Sequence, residues 1–342
     1  MKRFFTFVAL ILAGLVAGAF ALFFTVKREI YEKRDVNIAL RVKEGTCLKR
    51  LIGELHRLGV VEHPQIVYYW ARYERVSPKA GCYRVKGSFS LKEVLKVFEK
   101  GSPCLKRFTV PPGSDLFILD KLFTKEGICK RGELLSLSED KSFLKGLGVP
   151  SLNGFLFPDT YYINERDGCR RAVEVAVNRF KEAVEPIFRN YKPPEKVRAA
   201  LGKPSLLQIV TVASIIEKET SVPSEKPLIA AVIYNRLKRG MELQCDPTVI
   251  YALKLKGKQV KRLTYKDLKT PSPYNTYYVK GLPPAPICNP SLSSIKAALY
   301  PANVDYLYFV ATGKGGHVFA RSYNQHLKNV EKFRKWQRKN GS

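Results

Sequence analysis

No Cys-x-x-Cys pair occurs in this 342-residue chain and only four histidines are present, so a zinc site is not expected, nor any other metal or cofactor. Acidic residues are scarce too: 30 Asp and Glu stand against 59 Lys and Arg, a net charge of +29. Such a surface suits nucleic acid, an anionic envelope of phospholipid heads and acidic wall polymers, or plain solubility. A tight basic cluster or arm is missing, since the cations are spread along the chain, and this counts against a nucleic-acid partner. Composition excludes a disordered tail, because 45% hydrophobic and 11% aromatic residues suffice for a globular body.

Phe4 to Val26 is apolar apart from Thr6 and Thr25. A bilayer crossing needs about 20 apolar residues. Ala-x-Ala patterns at Ala17 to Ala21 raise the alternative of a cleaved signal peptide, but the run continues through Leu22, Phe23 and Phe24, beyond the about 7–15 residues of a signal core. We therefore read residues 1–26 as a tip and an uncleaved transmembrane anchor. Lys2 and Arg3 precede it while Lys27, Arg28, Lys33 and Arg34 follow. Taken literally, the positive-inside rule puts the body in the cytoplasm, so charge alone does not settle the side. The seven cysteines are widely spaced. An odd set of this kind allows disulfides in an extracytoplasmic body, and buried free thiols are the simpler expectation.

Roughly 315 residues follow the anchor, enough for two or three packed units. They open on a weak internal repeat: Val42, Gly45, Leu48, Leu51, Leu55, Gly59, Val60, then Val110, Gly113, Leu116, Leu119, Phe123, Gly127, Ile128. Each copy predicts a strand end, a turn glycine, a short helix with apolar spacing of three and four, and a capping glycine. Between the copies, Ser90 and Glu93 form a capping-box pattern. Further on, the patterns predict helices over Ala172 to Phe188, from after Lys203-Pro204 up to Val222-Pro223, and over Lys226 to Lys238. Tyr306 to Val310 reads as a strand returning through a Gly-rich turn to Val318 and Phe319. A mixed α+β fold is expected.

Ile209 to Thr220, IVTVASIIEKET, is apolar on nearly every face, as a core helix is, and ends near Glu217. A glutamate there is surfacing into solvent, paired, or held in a water-poor pocket with its pKa raised, the state a proton donor needs. Around this helix lie turn segments rich in Tyr, Asn and Gln: Tyr234-Asn235, Gln244 to Thr248, Tyr274 to Tyr277 and His317. Aromatic faces and amides suit a carbohydrate, although each cluster taken singly is better explained as turn chemistry.

In order along the chain, LFPDTY at 156–161, ASIIEKET at 213–220, YNRL at 234–237 and DPTVIYAL at 246–253 are followed by YNTY at 274–277, GLPP at 281–284 and YLYFVATGKGGHVF at 306–319. This series resembles the YceG-like family of endolytic murein transglycosylases across nearly the whole chain. The resemblance implies a single-pass inner-membrane protein with its body on the periplasmic, wall side, a LysM-like α/β subdomain at 36–104 and a YceG-like catalytic domain at 105–335. It implies cleavage of the MurNAc–GlcNAc bond of nascent glycan strands with a 1,6-anhydro-MurNAc end, terminating their elongation; a muramidase-type hydrolase or a non-catalytic peptidoglycan-binding scaffold is the alternative. The family's catalytic glutamate falls on Glu217, with Glu219 on another helix face. Asn235, Gln244, Asp246, Thr248, Tyr274, Asn275, Tyr277 and His317 are the expected substrate-binding residues, and wall synthases are candidate partners. Departures from the family's usual residues are Asn153, Cys245, Ala285 and Gln325.

Overall fold

The computed structural model describes residues 2–260 and 262–340, so the first residue of the expected 1–26 segment lies outside it. Two compact units divide the chain, one ending at Lys106 and one beginning at Arg107.

The first unit opens with α1 (Lys2–Tyr31), whose apolar side chains from Phe4 to Phe24 remain exposed. Its 28-residue stretch Phe4–Tyr31 is long and apolar enough to cross a membrane. Then come β1 (Lys33–Val42), α2 (Leu48–Arg57), α3 (Pro64–Tyr73), β2 (Gly81–Ser90) and α4 (Leu91–Lys100). β1 and β2 pair antiparallel, with Lys33 opposite Ser90 and Val42 opposite Gly81. Alternation places Val36, Ile38, Tyr83 and Val85 on the inner face. Leu51, Ile52 and Leu55 of α2 and Leu91, Val94, Leu95 and Phe98 of α4 join the same core. Ser90 and Glu93 form the expected capping box of α4.

β3 (Leu105–Thr109) crosses the boundary, and the second unit continues with α5 (Leu116–Lys125), α6 (Glu133–Glu139), α7 (Lys141–Leu147), β4 (Thr160–Asn164), α8 (Cys169–Arg189), α9 (Glu195–Leu201) and α10 (Leu206–Glu219). It continues with α11 (Lys226–Lys238), α12 (Asp246–Leu255), α13 (Tyr265–Leu268), α14 (Leu292–Leu299), β5 (Tyr308–Ala311), β6 (His317–Ala320) and α15 (Tyr323–Asn340). β3 pairs with β4 and β5 with β6. The fold is mixed α+β, as the patterns predict. The repeat is realised as well: Gly45 and Gly113 take φ of +74° and +73° at the turns before α2 and α5.

Helix α10 is the centre of this unit. Ser205 and Gln208 cap its start in a reciprocal box, so Pro204 lies just before the cap and not inside the helix. Every residue from Ile209 to Ile216 is buried, packed by α11, α12 and α14. Each large aliphatic side chain in that run contributes about 1.5–3 kcal/mol by leaving water.

Two findings correct the sequence expectations. Cys82–Cys104 and Cys129–Cys169 are disulfides, leaving Cys47, Cys245 and Cys288 free, so four of the thiols expected to be free are not. Spacing carries no information on such pairs, because the chain brings them together only on folding. Helix α15 lies outside those expectations: Leu327, Val330, Phe333 and Trp336 recur on it at helical spacing, yet it fully buries no residue.

Candidate active site

Glu217 sits in the last turn of α10, where the core helix meets the start of α14. Ser291 is the residue before α14, and its backbone N–H is one of the donors that a helix start leaves without an intrahelical partner. Glu217 Oε2 accepts from that N–H at 3.1 Å, from the Ser291 hydroxyl at 2.5 Å and from the Ser294 hydroxyl at 2.5 Å. Lys226, the first residue of α11 and itself buried, donates to the same oxygen at 3.1 Å. The Lys226 ammonium also reaches the Ser291 and Ser293 hydroxyls, at 3.1 and 2.9 Å.

Burial alone would raise the Glu217 pKa, but the Ser291 and Ser294 hydroxyls and the Lys226 charge outweigh it and hold the carboxyl below its ordinary value. Of the states open to this residue, the structure selects the paired one and not the raised one. A helix N-terminus stabilises an anion, and Lys226 strengthens the effect. Among the described residues no donor reaches Oε1. Four donors fix one carboxylate oxygen and none of them reaches the other.

The turn before α5 closes over this carboxyl. A Cβ on Gly113 would lie 3.7 Å from Glu217 Cγ, an ordinary contact, and Lys218 Nζ donates to the Gly113 carbonyl at 3.3 Å. Asn289 holds the surroundings together. Its carbonyl accepts from Gly113 N–H at 2.8 Å, and its side-chain oxygen accepts from Gly154 and Leu156 N–H at 2.9 and 3.1 Å. Lys226, Asn289, Ser291 and Ser294 were all missed in the sequence. Ser291-x-x-Ser294 before an apolar run is a helix-start signal that could have pointed to an anion there.

Glu219 occupies the opposite side of α10. Burial, then the Asp246 charge, pushes its carboxyl up to about 7, against the lowering effects of Cys245 and Arg236. Near it, the Tyr277 hydroxyl donates to Asp246 Oδ1 at 2.7 Å. Gln244 is exposed and takes a φ of +51°, a left-handed backbone that its N–H bond to the Thr276 carbonyl at 3.0 Å helps to hold. Asp246 and Tyr277 therefore lie close to Glu219, and Gln244 is one residue from Cys245, which bonds to Glu219.

The remaining expected binding residues divide. Asn235 Nδ2 donates to the Val304 and Tyr306 carbonyls while its Oδ1 accepts from Lys196, so its amide is spent on the scaffold. Thr248 and Asn275 are fully buried, Thr248 bonded to Cys245 and Thr276 and Asn275 to the Leu268 and Thr270 carbonyls. Tyr274 is half-buried, edge-on to Tyr251 at 5.1 Å between centroids. His317 Nδ1 lies 2.7 Å from Glu225 Oε2, in a loop lock completed by the Thr220 hydroxyl on the same oxygen. Burial would raise the Glu225 pKa, but the His317 and Thr220 hydrogen bonds prevail and lower it.

In the first unit, Glu29, Glu62 and His63 bring ligand atoms within 4.8 Å of one another. Glu29 there already accepts from Glu62 N–H at 2.8 Å and lies 3.8 Å from Arg34, which matches its charge.

An α+β body whose central helix carries two carboxylates, Glu217 fixed through one oxygen and Glu219 held near neutrality on the other side, defines a protein with an acid–base candidate site. The chain belongs to the YceG-like family, whose sequence profile matches residues 40–332. It is similar to the endolytic murein transglycosylase of Bacillus subtilis, at 29% identity over 93% of this chain and 91% of that protein. It is also similar to the endolytic murein transglycosylase of Streptococcus pneumoniae, at 28% identity over 96% of this chain but only 64% of the longer relative. The crystal structure of a yceG-like protein from Listeria monocytogenes superposes with a TM-score of 0.57 at 28% identity, covering 86% of this chain and 99% of that one.

Proposed function

We propose that the chain is a membrane-anchored endolytic murein transglycosylase that cuts the MurNAc–GlcNAc bond of nascent glycan strands and leaves a 1,6-anhydro-MurNAc end. The observation that carries this reading is the one-sided anchoring of Glu217. A glycosidase of the usual kind needs two carboxylates, whereas a substrate that supplies its own nucleophile needs only one. Glu217, protonated on the free Oε1, gives its proton to the linking oxygen as the bond to muramyl C1 breaks. The muramyl C6 hydroxyl closes onto C1 and returns its proton to the same oxygen, so no water enters. Acid–base help of this kind contributes about 10²–10⁴-fold. Lys226, Ser291 and Ser294 are positioning residues that stop the carboxylate from rotating.

Glu217→Gln is expected to fold normally and to release no anhydro-ended fragments from purified peptidoglycan, read by mass spectrometry. Release at the wild-type rate would remove Glu217 from the reaction. Products heavier by one water would assign a muramidase instead. A second assignment has its own support: Glu219, held near neutrality, is a competent proton donor by pKa. In Glu219→Gln, activity within about tenfold of wild type favours Glu217 as the acid, and a loss as deep as that of Glu217→Gln transfers the role.

The LysM-like region at 36–104 and the catalytic domain at 105–335 remain part of this proposal. The β1–α2–α3–β2 order supports a small glycan-binding module. Disulfides persist in oxidising compartments, so the two bridges support a body outside the cytoplasm, with α1 as a single-pass anchor and wall synthases as neighbours.

A further inference from the structure

A cleft of about 560 Å³ opens along α5, and four of its lining side chains are cations, Lys121, Lys125, Arg131 and Lys254, against one carboxylate, Asp120. Asp120 is already engaged, since both of its oxygens accept from Gly132 N–H. Lys254 is paired with Asp115, but among the described residues Lys121, Lys125 and Arg131 form no ion pair. Phe117 supplies an aromatic wall, and Thr124 Oγ1 is a buried hydroxyl with no partner among the described residues. An adjoining hollow shares Phe117, Lys121 and Lys254 and exposes Ile118 and Ile250. The cleft thus offers free positive charge, one unsatisfied donor and apolar surface, which is what a short anionic peptide requires.

Its position relates it to the candidate site. Asp115 caps α5 two residues after Gly113, where an added Cβ would meet Glu217 Cγ at 3.7 Å. At a rise of about 1.5 Å per residue, Lys121 and Lys125 lie roughly 10–18 Å from that contact. A peptide of three or four residues, at about 3.3–3.6 Å each, reaches about 10–14 Å, which covers the nearer part of that range. In peptidoglycan the stem peptide hangs from the muramyl ring itself and carries free carboxylates along its length.

Resting on the transglycosylase reading, we infer that this cationic cleft is a subsite for the carboxylates of the stem peptide on the sugar being cut. The enzyme then selects glycan whose peptides are still attached.

The test uses the full-length protein in detergent, with calorimetric titration of the tripeptide L-alanyl-γ-D-glutamyl-diaminopimelate. Binding is expected to weaken at least tenfold when the peptide carboxylates are amidated, and equally in the triple variant Lys121→Gln/Lys125→Gln/Arg131→Gln, whose altered side chains are all exposed. On peptide-bearing glycan the variant is expected to raise KM at least fivefold with kcat within twofold, while turnover of peptide-stripped glycan is unchanged. Tripeptide binding that is absent, or the same in wild type and variant, overturns the subsite. So does inorganic phosphate binding at least as tightly as the tripeptide, which would assign the cleft to phosphate-bearing polymers. If the tripeptide binds as stated but neither glycan is cut, the reaction assignment fails and the subsite stands.

Discussion

Glu217 is a carboxylate that its neighbours keep ionised, yet the proposed reaction begins with its acid form. The tension resolves if glycan binding displaces water from around Oε1 and so favours the proton. On the free enzyme, the fraction carrying that proton rises as pH falls, and kcat/KM reports the free enzyme. The Lys226 ammonium is one of the groups that lower the pKa, so removing it raises the pKa and lets the acid form persist to higher pH. Lys226→Met is therefore expected to move the alkaline limb of the kcat/KM–pH profile upward, with some loss of maximal rate from the freed side chain. An unmoved limb would mean that the titrating acid is not the one bonded to Lys226. Stability gives an independent check. A depressed folded-state pKa contributes stability that is present above the ordinary value of 4.5 and is lost as pH falls through the folded value. The melting-temperature advantage of wild type over Glu217→Gln should accordingly shrink on acidification below about 4.5.

Helices α8, α10 and α11 are legible because each is long and bounded by proline or glycine, α8 by its apolar stripe and α10 by being apolar all round, and the repeat exposes the turns before α2 and α5. What the spacing could not reveal is which element the end of α10 meets. The partners of Glu217 come from Lys226, nine residues on, and from Ser291 and Ser294, more than seventy residues on, and only tertiary packing joins them. Likewise Asn235 and Asn275 look like sugar-binding amides in sequence, but each is consumed by backbone carbonyls of neighbouring loops. Gly154 marks one of these hidden junctions. It sits at φ +92°, and a Cβ there would come within 2.5 Å of the Pro286 ring and 3.0 Å of Val210 on α10. Gly154→Ala must strain its own backbone and push a rigid ring, a cost of about 1–3 kcal/mol. Each kcal/mol lowers the melting temperature by about 2–4 °C in a unit of this size. A variant melting within 1 °C of wild type, by an approximate standard of scan precision, would show that the junction relaxes freely.

For the whole molecule, the unresolved choice in the sequence is the side of the membrane on which the body lies, because cations flank the apolar run at both ends. The disulfides argue for an oxidising side, and the free thiols supply a direct reporter. Cys47 is exposed just before α2, whereas Cys245 and Cys288 are buried at 3% and 0% exposure. A folded chain therefore presents one reactive thiol to a bulky reagent, and that thiol lies in the same unit as α1. In protoplasts with sealed membranes, a charged maleimide that does not cross lipid is expected to label Cys47 at the rate seen for detergent-solubilised protein. Cys47→Ser should abolish the labelling, which separates it from reaction at the buried thiols. Labelling that appears only after the membrane is opened would put the body in the cytoplasm, and with it a transglycosylase could not reach the wall.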